Sequence, residues 1–459
     1  MAALPRIAAA DVHRVRRFDA VVLGAALPGL VAAIRLAQRG ARVLVVEEEA
    51  AARAHPAWRE PFLLWDAEPR GVLGSCLRAL ALPLIDQRRL LAEDRALQIA
   101  SPRTRIDWGR AGLAASELTS WGLAKPDESR ALLRGLAAAA REARDAWLAS
   151  IAPERPRKGR DAPAAREPSA DARAQDPLVA LRTASPGLRA LLEGLARALS
   201  DHGGAELCAL ARLRLLGGIL AGGAVLAGEA GLRDLLWRRL ASLFGERRTI
   251  QGHLRLVGTS HLAAVEAPGI QEIYAGRALV LNAPRESLAL AHEAAPPALL
   301  RCAPAPWRRV TLELHAPAEL LPDAMAERLI ALGAGEPLRV ARCGGRRAGE
   351  RAELLVSTVA PRDADIPAIH ARLEGAVRDL APFCAARLET RPHPAPRWDR
   401  DDLLHDVAAS AQEPAPTCLR LSSRPLVVSL ERAASGAFSF EGDLLLGWRA
   451  GDDLVPLLG

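Results

Sequence analysis

The chain of 459 residues has few aromatic side chains and almost no lysine. Aromatic residues make up 3% of the chain, Tyr274 is the only tyrosine, and Lys125 and Lys158 are the only lysines. Nearly all of the positive charge is therefore arginine. The net charge of +7 does not indicate a nucleic-acid-binding protein, because the basic residues are spread among 54 acidic ones and no basic stripe alternates with aromatics.

Paired cysteines and long apolar runs are missing as well. The six cysteines are far apart and form no Cys-x-x-Cys, so the sequence predicts neither a zinc site nor a disulfide framework, but free thiols in a reducing cytoplasm. The longest uncharged apolar run, 215–228, is too short and too rich in glycine to span a bilayer. The amino terminus lacks the apolar core of a signal peptide. We expect a cytoplasmic protein, with peripheral attraction to an anionic membrane left open.

Signatures of several enzyme classes are also absent. The sequence has no Gly-x-Ser-x-Gly elbow and no phosphate-binding P-loop. The run "RWDRDDLLHD" gathers five acid or imidazole side chains, which is conceivable as a metal site, but acids are also typical of a helix start, where the helix dipole favours them. We favour the helix start and expect no metal. The five residues are Asp399, Asp401, Asp402, His405 and Asp406.

One stretch near the amino terminus carries a specific signal. An apolar run ends at Leu23, a glycine turn follows, and a helix begins near Pro28, whose missing N–H suits a first helical position. Gly40 fits just past the end of this helix, and "ARVLVV" then predicts a short buried strand that reaches Glu47. A strand, a tight turn, a helix and a parallel strand within so few residues predict the βαβ unit of a doubly wound sheet.

The turn itself resembles the Gly-x-Gly-x-x-Gly fingerprint of dinucleotide-binding proteins. Gly24 and Gly29 stand at its first and third glycines, while Ala26 replaces the middle one, which lets a pyrophosphate approach bare backbone. The added methyl group either displaces the phosphate or is accommodated by a small shift. Glu47 stands where an acid binds a ribose hydroxyl, or else it simply ends a strand in solvent. We predict that all four residues contact a cofactor.

The rest of the chain predicts alternating strands and helices. Residues 90–108 form a strand pair around "SPRT", helices cover 126–151 and 178–215, and 153–177 is a disordered linker by composition. A helix precedes Gly245, and three strand segments follow it: "TIQGHLRLVG", "GIQEIYAG" and "RALVLNAP". Beyond 301, strands such as "RRVTLELHAP" alternate apolar and polar residues, as half-exposed antiparallel strands do. We predict "GDLLLGW" as the final strand.

These segments together resemble the FAD-dependent oxidoreductases of the amine oxidase and phytoene desaturase type. The resemblance covers most of the chain and rests on the amino-terminal unit and on the stretches "GEAGLRDLLWRRLASLFG", "TIQGHLRLVG", "ALVLNAP", "RRVTLELHAPAELLPDAM" and "GDLLLGW". It implies that FAD is bound in an extended pose and that hydride passes from the substrate to flavin N5. It further implies that Val257 meets the adenine, and that Gly447 and, with a shifted register, Asp452 or else Asp453 lie near the flavin.

The sequence departs from this family at several points. Ala26 replaces the middle glycine, no Gly-Gly-Arg follows Glu47, and Trp448 stands where an acid is expected. The helix that follows the last strand in the family is predicted to be missing. Each departure removes a different contact with FAD.

The predicted fold is α/β, with a Rossmann-type FAD-binding domain interleaved with an α+β substrate domain that contains a mixed or antiparallel sheet. The FAD-binding domain comprises 18–75, 222–300 and 425–459, and the substrate domain comprises 76–221 and 301–424.

Two functions stay open at this point. The first is dehydrogenation or isomerisation of a hydrophobic small molecule, with the flavin as the reactive group and no catalytic acid or base to name. Amine oxidation is not expected, because the resemblance implies a lysine beside the flavin and an aromatic cage, and this chain is poor in both residue types. The second is a non-catalytic relative that has lost its cofactor and acts as a binding or scaffold protein. No nucleic-acid partner is expected, and the oligomeric state is not predicted.

Overall fold

The computed structural model describes most of the chain. The described residues are 4–5, 14–52, 62–63, 71–92, 97–101, 104–108, 111–151, 181–200, 209–221, 224–225, 228–267, 272–292, 295–333, 335–345, 347, 349–392, 396–400, 402–404, 418–430 and 439–458. The linker predicted at 153–177 lies outside them.

The strands are numbered in chain order. They are β1 (Arg14–Leu23), β2 (Val43–Glu48), β3 (Phe62–Leu63), β4 (Leu91–Ala92), β5 (Leu97–Ala100), β6 (Arg105–Trp108), β7 (Ala224–Val225), β8 (Glu246–Ile250), β9 (Arg255–Gly258), β10 (Ala263–Glu266), β11 (Glu272–Leu281), β12 (Trp307–Pro317), β13 (Arg328–Ala331), β14 (Leu338–Cys343), β15 (Arg351–Pro361), β16 (Glu389–Arg391), β17 (Leu403–Leu404), β18 (Leu419–Ser423) and β19 (Leu426–Ser429).

The helices are numbered in the same way. They are α1 (Leu27–Gln38), α2 (Glu49–Ala52), α3 (Val72–Ala79), α4 (Leu84–Leu90), α5 (Ala111–Ser120), α6 (Pro126–Ile151), α7 (Pro186–Leu199), α8 (Ala209–Gly218), α9 (Gly228–Ser242), α10 (Arg285–Ala291), α11 (Ile366–Leu380) and α12 (Ser439–Leu458). No helix among the described residues is both long enough and apolar enough to cross a membrane.

The first sheet has the strand order β18-β19-β11-β1-β2-β8, with β10 joined to β11 and β9 joined to β10. Its centre is parallel, since β1 pairs in parallel with both β2 and β11. A parallel sheet is covered on both faces, and its strands are therefore continuously apolar. In β1, Ala20 and Val22 face one hydrophobic cluster, while Val21 and Leu23 face another. The predicted βαβ unit is confirmed.

Three helices cover one face of this sheet: α1, α9 and α12. The last of them packs very closely on the first. A Cβ atom built at Gly447 would lie 2.3 Å from the carbonyl oxygen of Pro28, and one at Gly451 would lie 2.5 Å from Cβ of Arg35. The two glycines thus allow the backbone of α12 to approach α1 directly.

The prediction that "GDLLLGW" is a strand is wrong. This stretch lies inside the 20-residue helix α12, so the terminal helix predicted to be missing is present. Leu444, Leu445 and Leu446 are all fully buried, because α12 is enclosed on several sides. A helix buried all round shows a continuous apolar run, and periodicity cannot distinguish it from a buried strand.

The second sheet has the order β16-β12-β15-β14-β13-β5-β6, with β17 joined to β12. It is antiparallel except where β13 pairs in parallel with β5. The alternation predicted for β12 is confirmed: Val310, Leu312 and Leu314 are buried against α11. The hairpin predicted around "SPRT" is confirmed by the pairing of β5 with β6. The predicted fold class, a Rossmann-type sheet combined with an α+β part, is confirmed.

Two strand predictions differ from the structure. The stretch "TIQGHLRLVG" was predicted as one strand, but β8 ends at Ile250 and β9 begins at Arg255. The segments "GIQEIYAG" and "RALVLNAP" form a single ten-residue strand, β11, rather than two elements. The strand continues through Gly276. A Cβ at this position would meet the backbone of Ala278 and Val21, so the glycine marks a close approach of backbones and not the end of a strand. The domain boundaries stay a prediction.

Candidate dinucleotide-binding site

The turn between β1 and α1 requires its first glycine. Gly24 has a φ of +104°, a conformation that L side chains rarely adopt, and a Cβ there would lie 2.6 Å from the amide nitrogen of Ala283. Its own N–H donates to the carbonyl oxygen of Val46 at 2.8 Å. Gly24 therefore lets the chain turn from β1 into α1 in the narrow space between β2 and the residues that follow β11.

The third glycine makes room for a side chain from another strand. A Cβ at Gly29 would lie 2.4 Å from Nδ2 of Asn282, which follows β11. The Asn282 amide donates to the carbonyl oxygens of Gly24 and Ala26, each at 3.0 Å. Asn282 therefore ties the end of β11 to the turn. The "ALVLNAP" motif suggested a strand returning to this site, but not this pair of hydrogen bonds.

The middle position and the start of the helix are less suited to a phosphate. Ala26 caps α1 without a side-chain hydrogen bond, and its residue is only 8% exposed. Pro28 lies in the first turn and has no N–H to offer. The first turn of α1 therefore presents one donor fewer than a helix of ordinary residues.

A carboxylate from a distant part of the chain occupies the turn. Both carboxylate oxygens of Asp399 accept from the N–H of Ala25, at 3.3 and 3.2 Å. Oδ1 of Asp399 also lies 3.1 Å from where a Cβ of Gly24 would be. Asp399 is 2% exposed and Ala25 is fully buried. An anion of the protein itself is therefore bound at the start of α1.

The segment that carries Asp399 is anchored by a second acid, Glu48. The Glu48 carboxylate accepts from the N–H groups of Arg397, Trp398 and Asp399 at 2.7–3.2 Å. Trp398 is fully buried in the hydrophobic cluster on the far side of the sheet from α1. We call residues 396–400 the plug segment. Sequence reasoning missed Glu48, although its position beside Glu47 at the end of a buried strand was a signal.

Glu47 is buried between two arginines. Its carboxylate contacts Nε of Arg247, and its other oxygen lies 3.6 Å from a guanidinium nitrogen of Arg233. The Arg247 guanidinium stacks 4.7 Å above the ring of Trp237. Burial raises the pKa of Glu47, and the two arginines partly offset this increase. In this arrangement the Glu47 carboxylate is buried, so it is accessible neither to the ribose of a cofactor nor to solvent.

Asp399 is an incompletely compensated buried acid. Burial is the main reason that its pKa rises to about 7, and the nearby Glu47 raises it further. Arg233 and the backbone N–H of Ala25 act in the opposite direction. Near neutral pH the turn thus holds a carboxyl group that gains or loses a proton easily.

The acidic run around Asp399 does not begin a helix in its described part. Residues 402–404 lead into strand β17 rather than a helix, so the predicted helix start is wrong there. The backbone pairs with β12, and this pairing overrides the local preference of the acids. No group of three potential metal ligands occurs among the described residues. Asp401, His405 and Asp406 lie outside them.

The remaining predicted contacts lie in other surroundings. Val257 is buried on β9 in a small apolar cluster with Ala264, Ile273 and Ala275, and its contact with adenine stays a prediction. Because "GDLLLGW" is helical, Gly447 does not lie in a final strand and Asp452 does not follow one. Their contacts with FAD stay a prediction.

Both residues instead join α12 to α1. Gly447 allows the close approach of the helices, and Asp452 forms an ion pair with Arg35 at 2.5 Å and accepts from the indole N–H of Trp448 at 3.1 Å. The strand that precedes α12 is β19, and residues 431–438 between them lie outside the described residues.

Comparison with known proteins agrees with the fold and the turn. A family model described as an FAD binding domain matches residues 19–62, which include the second half of β1 and all of α1 and β2. An oxidoreductase from Methanosarcina mazei matches 94% of this chain and 99% of its own with a TM-score of 0.58 and 14% identity. The chain has the fold of the FAD-dependent amine oxidases.

Two oxidases of this type share the fold along nearly the whole chain. A putrescine oxidase redesigned in its cofactor binding matches 96% of this chain and 100% of its own, with a TM-score of 0.53 and 14% identity. A cyclohexylamine oxidase from Brevibacterium oxydans matches 96% and 99%, with a TM-score of 0.53 and 15% identity. No curated protein matches the chain in sequence. The cofactor that this FAD binding domain indicates is FAD.

FAD does not fit the turn as its residues are arranged in this structure. The N–H of Ala25 already donates to Asp399, and Glu47 is enclosed by Arg233 and Arg247. The residues from Gly24 to Ile34 are all buried. A diphosphate brought to the turn would meet a carboxylate of the same charge. Binding of FAD to this amine-oxidase-like fold therefore requires the plug segment to move.

Proposed function

We propose that the chain is a flavin-dependent oxidoreductase that binds FAD at the β1–α1 turn once Asp399 leaves it. The observation that carries this proposal is that the N–H of Ala25 still binds an anion at the amino-terminal end of α1. Helix starts of this kind bind phosphate through free N–H groups and the helix dipole. The FAD binding domain match over 19–62 supports the same cofactor.

The proposed substrate is a hydrophobic small molecule that is dehydrogenated or isomerised. Lys125 is 84% exposed at the surface, so it is not available as a buried partner of the flavin. Among the described residues, the hydrophobic cluster between the second sheet and α11 consists of aliphatic and sulfur-containing side chains and includes no aromatic ring of the kind that a cage for an amine would use. The bound flavin would supply the redox chemistry. Peripheral attachment to a membrane that holds such a substrate belongs to this proposal.

The direct test is the flavin content of the full-length protein. Purified protein is incubated with excess FAD, freed of unbound cofactor and denatured, and the released FAD is measured by its absorbance. The proposal expects close to one FAD per chain. The control is Gly24→Ala, which destroys the turn at its positive φ and should retain almost none. A wild type that retains no more than this control contradicts the proposal.

A second candidate is a non-catalytic relative that keeps the fold and acts as a binding or scaffold protein. The closed turn favours it, since Asp399 fills the anion position and the Glu47–arginine contacts fill the ribose position. This candidate expects colourless protein that ignores FAD at every concentration tested. It also expects that FAD has no effect on the melting temperature, whereas a ligand that binds only the folded state raises it.

A further inference from the structure

The anion at the β1–α1 turn is connected to the rest of the molecule in an unusual way. Asp399 lies 374 residues after Ala25 in the chain, and Glu48 fixes the backbone of the plug segment beside the turn, together with the buried ring of Trp398. Glu48 belongs to β2, the strand next to β1 in the same βαβ unit. The unit that would bind the cofactor therefore also holds the group that blocks it.

We propose that Asp399 is an internal competitor for the phosphate position, and that the plug segment must leave the turn before FAD binds. This inference rests on the proposed function, because it assumes that FAD is the ligand. The competition is electrostatic as well as steric. A carboxylate and a diphosphate cannot share the single N–H of Ala25, and two like charges in a buried site repel each other strongly.

The backbone of the plug segment and the side chain of Asp399 have different partners, so the side chain can leave the turn while the backbone contacts remain. The Glu48 carboxylate binds the backbone of the segment, whereas the Asp399 side chain is bound by the backbone N–H groups of Ala25 and Glu48. The charged groups facing Asp399 are Arg233 on α9 and Glu47 on β2, of opposite sign. Glu48 lies behind it and binds its own N–H. The closed turn is thus held by a weakly compensated carboxylate.

The competition is tested by the affinity for FAD of matched variants. Asp399→Ala removes the competing carboxylate and leaves the Glu48 contacts, which involve backbone N–H groups, in place. Asp402→Ala is the control, because Asp402 lies in the same stretch of chain but pairs with Arg400 at 2.6 Å. The dissociation constant of FAD is measured by equilibrium dialysis on the full-length proteins. Thermal melting without FAD shows that each variant is folded.

The expected result is tighter binding for Asp399→Ala alone. Loss of a charged competitor should lower the dissociation constant by about tenfold or more, while Asp402→Ala should stay within about twofold of the wild type. Adding Gly24→Ala to Asp399→Ala should abolish the gain, since it removes the turn itself. This last variant shows that the gained affinity belongs to this turn.

The other outcomes separate the two proposals. If the wild type and Asp399→Ala bind FAD equally tightly, the internal competitor is wrong, while the proposed cofactor stands. If neither protein binds FAD although both are folded, the competitor and the flavoprotein proposal are both wrong. If Asp402→Ala gains as much as Asp399→Ala, the effect is a general loosening of the segment, and the specific role of Asp399 is overturned.

Discussion

The body of α1 and its amino-terminal end are stabilised by different interactions. Along its body, α1 meets α12 through backbone that approaches at Gly447 and Gly451 and through apolar side chains. At its amino-terminal end it meets the plug segment through one buried carboxylate, Asp399, and its charged neighbours. No ligand can take the place of a helix that packs closely on α1, whereas another anion can take the place of the carboxylate that accepts from the N–H of Ala25. The body of α1 therefore maintains the fold, and its amino-terminal end is where a ligand can exchange.

The largest effect is expected from a side chain placed between the two helices. Gly447→Val puts its Cβ against the carbonyl oxygen of Pro28 and forces α12 away from α1, so we expect a loss of about 4 kcal/mol in the free energy of unfolding. Denaturant unfolding followed by circular dichroism measures it. The control is Gly375→Ala on α11, where nothing lies within 4 Å of the added methyl group. If Gly447→Val unfolds at the same denaturant concentration as the wild type, close packing of α12 on α1 does not stabilise the fold as described.

The anchor of the plug segment comes next. Glu48→Ala leaves three backbone N–H groups without their acceptor, two of them buried and that of Arg397 partly buried, and we expect a loss of about 3 kcal/mol in the free energy of unfolding. Urea unfolding compares this variant with Glu49→Ala, which changes the next residue, whose carboxylate faces the surface. Equal losses for the two variants would show that Glu48 does not hold the segment.

The pH dependence of stability reports on Asp399. A folded pKa near 7, above the ordinary 3.8, means that this carboxyl group stabilises the fold fully below about pH 4 and that the contribution is lost as the pH rises through 7. We expect the wild type to lose about 2 kcal/mol relative to Asp399→Asn between pH 5 and 8, less than rigid burial implies because water enters a relaxing site. Parallel curves for the two proteins across this range contradict the expectation.

The smallest effect is expected from the ion pair between α12 and α1. Asp452→Ala removes a pair with Arg35 whose side chains are 28% and 13% exposed, so solvent screening reduces the expected loss of free energy of unfolding to about 1 kcal/mol. The melting temperatures of Asp452→Ala and Asp453→Ala are compared. Asp453→Ala is the control, because Asp453 pairs with Arg449 at 3.8 Å within α12 and is 56% exposed. A loss as large as that of Gly447→Val would mean that charge, rather than packing, joins the helices.

The sequence predicted the part of the site that depends on local geometry. Gly24 and Gly29 were identified because a tight turn and a close contact each exclude a Cβ, and such requirements are visible at a fixed spacing. Helix α6 and the hairpin of β5 and β6 were predicted because their periodicity and turn residues are local signals.

The parts that were missed depend on distant residues or on complete burial. No local pattern connects Asp399 with Ala25 or explains why Glu48 rather than Glu47 organises the turn. The helix α12 was taken for a strand because burial on all sides removes the polar stripe that marks an amphipathic helix. The resemblance to the amine oxidase type was sufficient for the fold, but the residues that close the site are this chain's own.

The most direct test of the central claim is the amount of FAD bound by the wild type and by Asp399→Ala at the same free FAD concentration, set below the dissociation constant of the wild type so that its site is not saturated. If the carboxylate occupies the phosphate position, the variant holds clearly more FAD than the wild type, and the excess disappears when Gly24→Ala is added. Equal FAD content in folded wild type and Asp399→Ala would contradict the account.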